Sequence, residues 1–153
     1  WTIYGLNKPE GQVALSNGLL VIALSLILFV CVKHEKIRWS IPVFTLIAVF
    51  IAGTAIANYS ITLMGWCTVA IGAPAIIPQV VRVYRTEHLY GVSAAMYGLL
   101  SFNCLMWLIY GAMIDDLFVS LPNIITTLGA FYIMVRAVKS HKKYQAPAEA
   151  PAN

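Results

Sequence analysis

The chain has 153 residues, of which 60% are hydrophobic and only 10% charged, and its formal net charge is +4. Together with a mean hydropathy of +0.79, that composition excludes an ordinary soluble domain and describes an all-α integral membrane protein. The positive balance does not mark a nucleic-acid binder, because nine of the ten Lys and Arg stand in three clusters beside apolar runs: Lys33, Lys36, Arg38; Arg82, Arg85; and Arg136, Lys139, Lys142, Lys143.

Residues 1–12 are mixed, with Pro9 and Gly11. They read as a lead-in whose Trp1 and Tyr4 suit the headgroup layer. No basic stretch precedes the first apolar run, so a cleavable signal peptide is not expected. Segment one, about 13–32, is apolar and stops on Lys33-His-Glu-Lys-Ile-Arg38. Trp39 follows as a membrane-belt residue, and Ser40-Ile-Pro42 reads as a cap and early-turn proline for segment two, about 41–63. In that segment Gly53-Thr-Ala55 and Ala57 permit close helix contact, and Asn58 reads as a structural hydrogen-bonder or an outer headgroup residue.

Ile61–Met64 is expected to be a short uncharged turn. Segment three, 65–84, contains Pro74 and Pro78, each of which removes a helical hydrogen bond, so a kink is expected there. A polar loop at 86–93 leads to segment four, 95–114, with Asn103, Trp107, Tyr110 and Gly111. Asp115-Asp116 makes the next turn, and segment five, 117–138, contains Pro122, Asn123, Thr126 and Thr127. The stretch 140–153, ending in an Ala/Pro-rich run, is expected to be a disordered cytoplasmic tail.

Five spans with the N-terminus outside and the C-terminus inside put every basic cluster on the cytoplasmic side, leaving only Lys8 outside. Cys31, Cys67 and Cys104 are scattered through apolar runs, so neither a metal site nor a disulfide framework is expected. His34, His88 and His141 stand with the basic clusters and are expected to meet water or headgroups. No Ser/His/Asp grouping, phosphate-binding loop or carboxylate pair is present in the sequence. No enzyme and no cofactor are expected.

The polar residues inside the spans carry the functional reading. At about 1.5 Å per residue, Trp107 lies roughly 10 Å from the end of segment four and Asn123 roughly 9 Å down the returning helix. Asn103 is one turn from Trp107 on the same face, and Thr126 and Thr127 one turn from Asn123. An indole face packs on the C–H face of a sugar ring, and an amide offers hydroxyls both a donor and an acceptor. No ionisable residue lies deep in segments three to five, which points to a neutral, polyhydroxylated ligand. Taken alone, the same residues also fit plain helix packing.

Pro78-Gln79, then Trp107-x-x-Tyr110-Gly111, then Asp116-x-Phe118 with Pro122-Asn123 resemble the PQ-loop sugar transporters known as SWEETs and their half-size relatives, the SemiSWEETs. The likeness covers residues 65–139. It implies a three-helix bundle that pairs with a second such unit around one central sugar site and alternates access by rocking. By resemblance Trp107 and Asn123 line the sugar pocket and Pro78-Gln79 hinges the inner gate; Asn103 joins the pocket by its place on the helix face, and Tyr110 and Pro122 are expected as further gate or hinge residues. The chain departs from the half-size pattern by carrying two further helices in residues 1–64.

The resulting expectation is a passive carrier of a neutral mono- or disaccharide, acting as a homodimer in a bacterial-type cytoplasmic membrane. Its partners are then the sugar, the lipid bilayer and a second copy. The competing expectation is a non-transporting subunit of a larger membrane complex, in which the extra helices dock against other membrane subunits. A PQ-loop carrier of cationic metabolites is disfavoured by the lack of a deep carboxylate.

Overall fold

The computed structural model describes residues 1–9 and 11–145, and among these every regular element is helical. Five helical stretches are long and apolar enough to cross a membrane: Gly11–Lys33, Ser40–Tyr59, Ile61–Arg85, Ala94–Met113 and Leu117–Tyr144. The chain divides into two compact units, Trp1–Thr68 and Val69–Asn153.

The first unit opens with a short helix, α1 (Thr2–Leu6), ahead of α2 (Gly11–Lys33) and α3 (Ser40–Tyr59). The opening residues thus contain a helix of their own. Tyr4 is completely buried, and the missing side chain of Gly5 lets α1 touch the backbone of α2 at Ala14. Ile3 reaches Gly53 on α3, where an added Cβ would stand 2.6 Å from Ile3 Cδ1. Ser40 is already helical, and the N-cap position falls on Trp39, which makes no side-chain capping bond. The apolar residues of α2 and α3 surround each helix, and Leu26 and Phe44 are 63% and 69% exposed. Helices apolar all round need lipid or other helices as solvent.

The break after α3 is a single residue. Ser60 is extended (φ −161°, ψ 118°), and its Oγ accepts a hydrogen bond from the Leu63 N–H at 3.2 Å, the geometry of an N-cap. Helix α4 (Ile61–Gly72) follows at once. The expected turn at 61–64 is therefore helix, and segment two ends at Tyr59 rather than 63. A 3-10 turn, Ala73–Ile76, joins α4 to α5 (Ile77–Arg85). Its cause is chemical. Pro78 has no N–H to give to the Pro74 carbonyl, which accepts instead from Ile77 one residue earlier, and that i→i−3 bond tightens the turn.

In the second unit, α6 (Ala94–Met113) starts at Ser93, whose Oγ accepts from the Met96 N–H at 3.2 Å. The following turn divides its work between two aspartates. Asp115 takes a left-handed backbone (φ 52°), which allows the Asp116 N–H to reach back to the Gly111 carbonyl at 2.9 Å and close α6. Asp116 then caps α7 (Leu117–Gln145) by accepting from the Phe118 and Val119 N–H groups at 3.0 and 3.4 Å. Such a cap contributes about 1 kcal/mol.

Helix α7 lies between α6 and the α5 arm and packs on both. Ile76, Val83, Leu89 and Ile133 form the core of this unit. The helix also runs past its expected end, because residues 140–145 are helix rather than tail. Ser140 Oγ donates to the Glu87 carbonyl at 2.8 Å and accepts from the Leu89 N–H at 3.0 Å. His141 Nε2 lies 2.9 Å from the Leu89 carbonyl oxygen, so this histidine is engaged with protein. Residues 146–153, the rest of the expected tail, lie outside the described residues.

Candidate functional site

Three contacts set the register of α6 against α7. Ser101 Oγ donates to the Thr127 carbonyl at 3.1 Å. A Cβ built on Gly111 would stand 2.5 Å from Ser120 Oγ, and one on Gly98 would stand 3.0 Å from Met134 Sδ. Asn123 lies three residues beyond Ser120, and Trp107 lies four residues before Gly111, so the two share a level to within about one residue rise of 1.5 Å. The equal depth read from the sequence follows from this register.

Asn103, Trp107 and Tyr110 form one stripe at i, i+4, i+7 on α6. That stripe runs beside the seam with α7, which is made by the buried Ser101, Cys104 and Gly111. Trp107 is half-buried and Asn103 exposed. The indole of Trp107 meets the Tyr110 ring edge-on, with centroids 5.5 Å apart and planes at 90°. A T-shaped neighbour steadies the indole.

Asn123 is half-buried on α7. Its Nδ2 donates to the Val119 carbonyl at 2.7 Å. Around it, Ser120 Oγ donates to the Asp116 carbonyl at 3.2 Å and Thr126 Oγ1 to the Pro122 carbonyl at 2.9 Å. Three side chains thus bond back to their own helix on either side of the buried Pro122, which itself cannot donate to Phe118. Thr127 Oγ1 is buried and has no hydrogen-bond partner.

Pro78 and Gln79 are exposed. Pro78 is the second residue of α5, where the missing N–H is least disruptive, so the interruption falls upstream in the 3-10 turn. The turn touches α7 at Gly129, where a Cβ would stand 3.0 Å from Ile76 Cγ1 and 3.2 Å from Val80 Cγ2. Gly129 lies six residues beyond Asn123, roughly 9 Å along the same helix. A displacement of the 3-10 turn therefore bears directly on the helix that carries Asn123.

The expected site residues fall into two groups: Trp107 and Asn123 at one level of α6 and α7, with Asn103 and Tyr110 about a turn to either side on α6 and Pro122 next to Asn123, and Pro78 with Gln79 at the start of α5. Sequence reasoning overlooked the contacts made by Gly111 and Gly129, for which a bare glycine in an apolar run gives little signal.

The family model described as sugar efflux transporter for intercellular exchange matches residues 60–143. The chain belongs to this family, that of the SWEETs and SemiSWEETs. Among curated SWEET-family proteins, the sugar transporter SemiSWEET of Escherichia coli (strain UMEA 3162-1) is 31% identical over 71 residues, which are 46% of this chain and 80% of that protein. The sugar transporter SemiSWEET of Leptospira biflexa serovar Patoc is 30% identical over 64 residues, 42% of this chain and 75% of that protein. No solved structure gives a significant match. The SWEET-family match takes in α4, the 3-10 turn and α5 to α7, and leaves α1 to α3 outside it.

Proposed function

We propose that the chain carries a neutral mono- or disaccharide passively across the membrane, as a homodimer whose three-helix units enclose one sugar site and open alternately to either side. Family membership supports sugar transport. The observation that carries the finer reading is the shared level of Trp107 and Asn123, with Asn103 exposed beside them. A half-site reachable from outside one unit becomes a closed pocket when a second unit covers it. The 3-10 turn supplies the flexible point of the α5 arm, and its contact with Gly129 couples that arm to the helix bearing Asn123.

The same reading orients the basic ends of α5 and α7 toward the cytoplasm. After replacement of the native cysteines, a single cysteine at Glu87 should react with an impermeant thiol reagent only from the cytoplasmic side, and one at Asp115 only from outside. The reverse pattern would invert the orientation.

The purified chain, reconstituted alone in liposomes, should equilibrate a labelled neutral sugar across the bilayer at a rate indifferent to imposed proton or sodium gradients. Accumulation driven by such a gradient would overturn passive transport. A protein that moves no sugar and co-purifies with other membrane chains would be a subunit of a complex instead.

A further inference from the structure

A second polar feature lies away from the sugar level, at the basic end of the second unit. A cavity of about 360 Å³ opens between the end of α5 and the last turns of α7. Arg85, Arg136, Lys139 and Lys143 line it together with Glu87 and Tyr144. Four cations thus surround one carboxylate, and the Glu87 Oε2 accepts from the Tyr144 hydroxyl at 3.3 Å. Arg136, Lys139 and Lys143 follow one another at i, i+3, i+7, which puts them on one face of α7.

Arg136 is built into the wall. Its Nη2 lies 3.4 Å from both the Val83 and the Thr86 carbonyl oxygens, so it holds the end of α5 against α7. Its Nε is buried and has no acceptor in the protein. A buried N–H without a partner is costly, and the guanidinium with Arg85, Lys139 and Lys143 around the same cavity makes a positive site suited to a phosphate.

We propose that this cavity binds the phosphate headgroup of an anionic membrane lipid. The shared chemistry is a phosphate anion, and the surroundings select a lipid as its source. Tyr84 lines the cavity and is 72% exposed, and Val81 and Val138 near the same helix ends are also exposed. Exposed apolar residues thus accompany the basic rim, as a ligand with both a headgroup and acyl chains requires. Basic pockets between membrane helices hold headgroups in this way. The lipid would add a further link between the end of α5 and α7, beside the one Arg136 already makes.

The experiment uses the full chain in neutral detergent, titrated with short-chain phosphatidylglycerol or phosphatidylcholine and read by native mass spectrometry. Phosphatidylglycerol adducts should persist at concentrations where phosphatidylcholine leaves none. The double variant Lys139→Gln/Lys143→Gln should weaken phosphatidylglycerol binding by about twenty-five-fold, at roughly fivefold for each lysine. Its unfolding temperature in detergent alone should match the wild type, which keeps a folding defect separate. Lys33→Gln/Lys36→Gln, in another basic cluster, should leave binding unchanged. Equal binding by the Lys139/Lys143 variant, or an equal loss in the Lys33/Lys36 variant, would overturn the site. Displacement of the lipid by millimolar inorganic phosphate would make it a free-phosphate site and overturn the lipid assignment.

Discussion

Trp107→Ala and Asn123→Ala should each weaken sugar binding by about threefold to tenfold or more, while leaving assembly and unfolding temperature much less changed. The magnitude follows from what each variant removes. Asn123→Ala takes away an amide donor and acceptor, and a hydrogen bond to a neutral ligand contributes about 0.5–1.5 kcal/mol. Trp107→Ala strips an aromatic platform worth at least as much, and 1.4 kcal/mol is a factor of ten in affinity. Thermal shifts of wild type and both variants across a panel of neutral sugars provide the measurement. If the residues instead hold helices together, unfolding temperature falls in both variants and no sugar dependence exists to be lost. A wild-type protein that no sugar stabilises, but that co-purifies with other chains, would overturn the transporter reading and leave the subunit one.

Gly111→Ala should destabilise the second unit by about 1–3 kcal/mol, the usual range for an extra carbon in a close-packed contact. The added Cβ would stand 2.5 Å from Ser120 Oγ and 2.9 Å from Ser120 N. A side-chain oxygen can rotate away, but a backbone nitrogen cannot, so α6 and α7 must separate where Asp116 caps the returning helix. Gly98→Ala is the control, because its Cβ would meet only the side chain of Met134, with Sδ nearest at 3.0 Å. A flexible thioether yields, and the helix gains about 0.5–1 kcal/mol from replacing glycine. The two substitutions should therefore move the unfolding temperature in detergent in opposite directions. Equal shifts would mean that the α6–α7 approach is not set by Gly111.

The five spans were legible because lipid demands long apolar helices, and the charged clusters mark several of their ends. Boundaries inside apolar sequence were less legible. Ser60 alone breaks the chain between α3 and α4, and one hydroxyl among Ile, Leu and Met carries little contrast. The level of Trp107 and Asn123 could be read because the Asp115-Asp116 turn is short and fixes where α7 begins. The exposure of Asn103 could not, since periodicity puts a residue on a stripe without saying what covers that stripe. The helical 140–145 stretch was misread for a related reason: Lys, His and Ser look like a solvated tail until Ser140 and His141 are found bonded to the 87–89 backbone. Tertiary partners there override a local composition that by itself favours disorder.

The bond from Asn123 Nδ2 to the Val119 carbonyl bears on how readily a sugar would leave. A hydroxyl that takes that N–H displaces an acceptor already in place, so little is gained there, and the affinity the amide contributes comes from its second N–H and its Oδ1. The helix then recovers its own bond as the sugar departs. Exchange of this kind keeps the bound state shallow, which suits a passive carrier: a deep well would slow the release step that ends every cycle, and the rate of a downhill carrier is set by how quickly it empties.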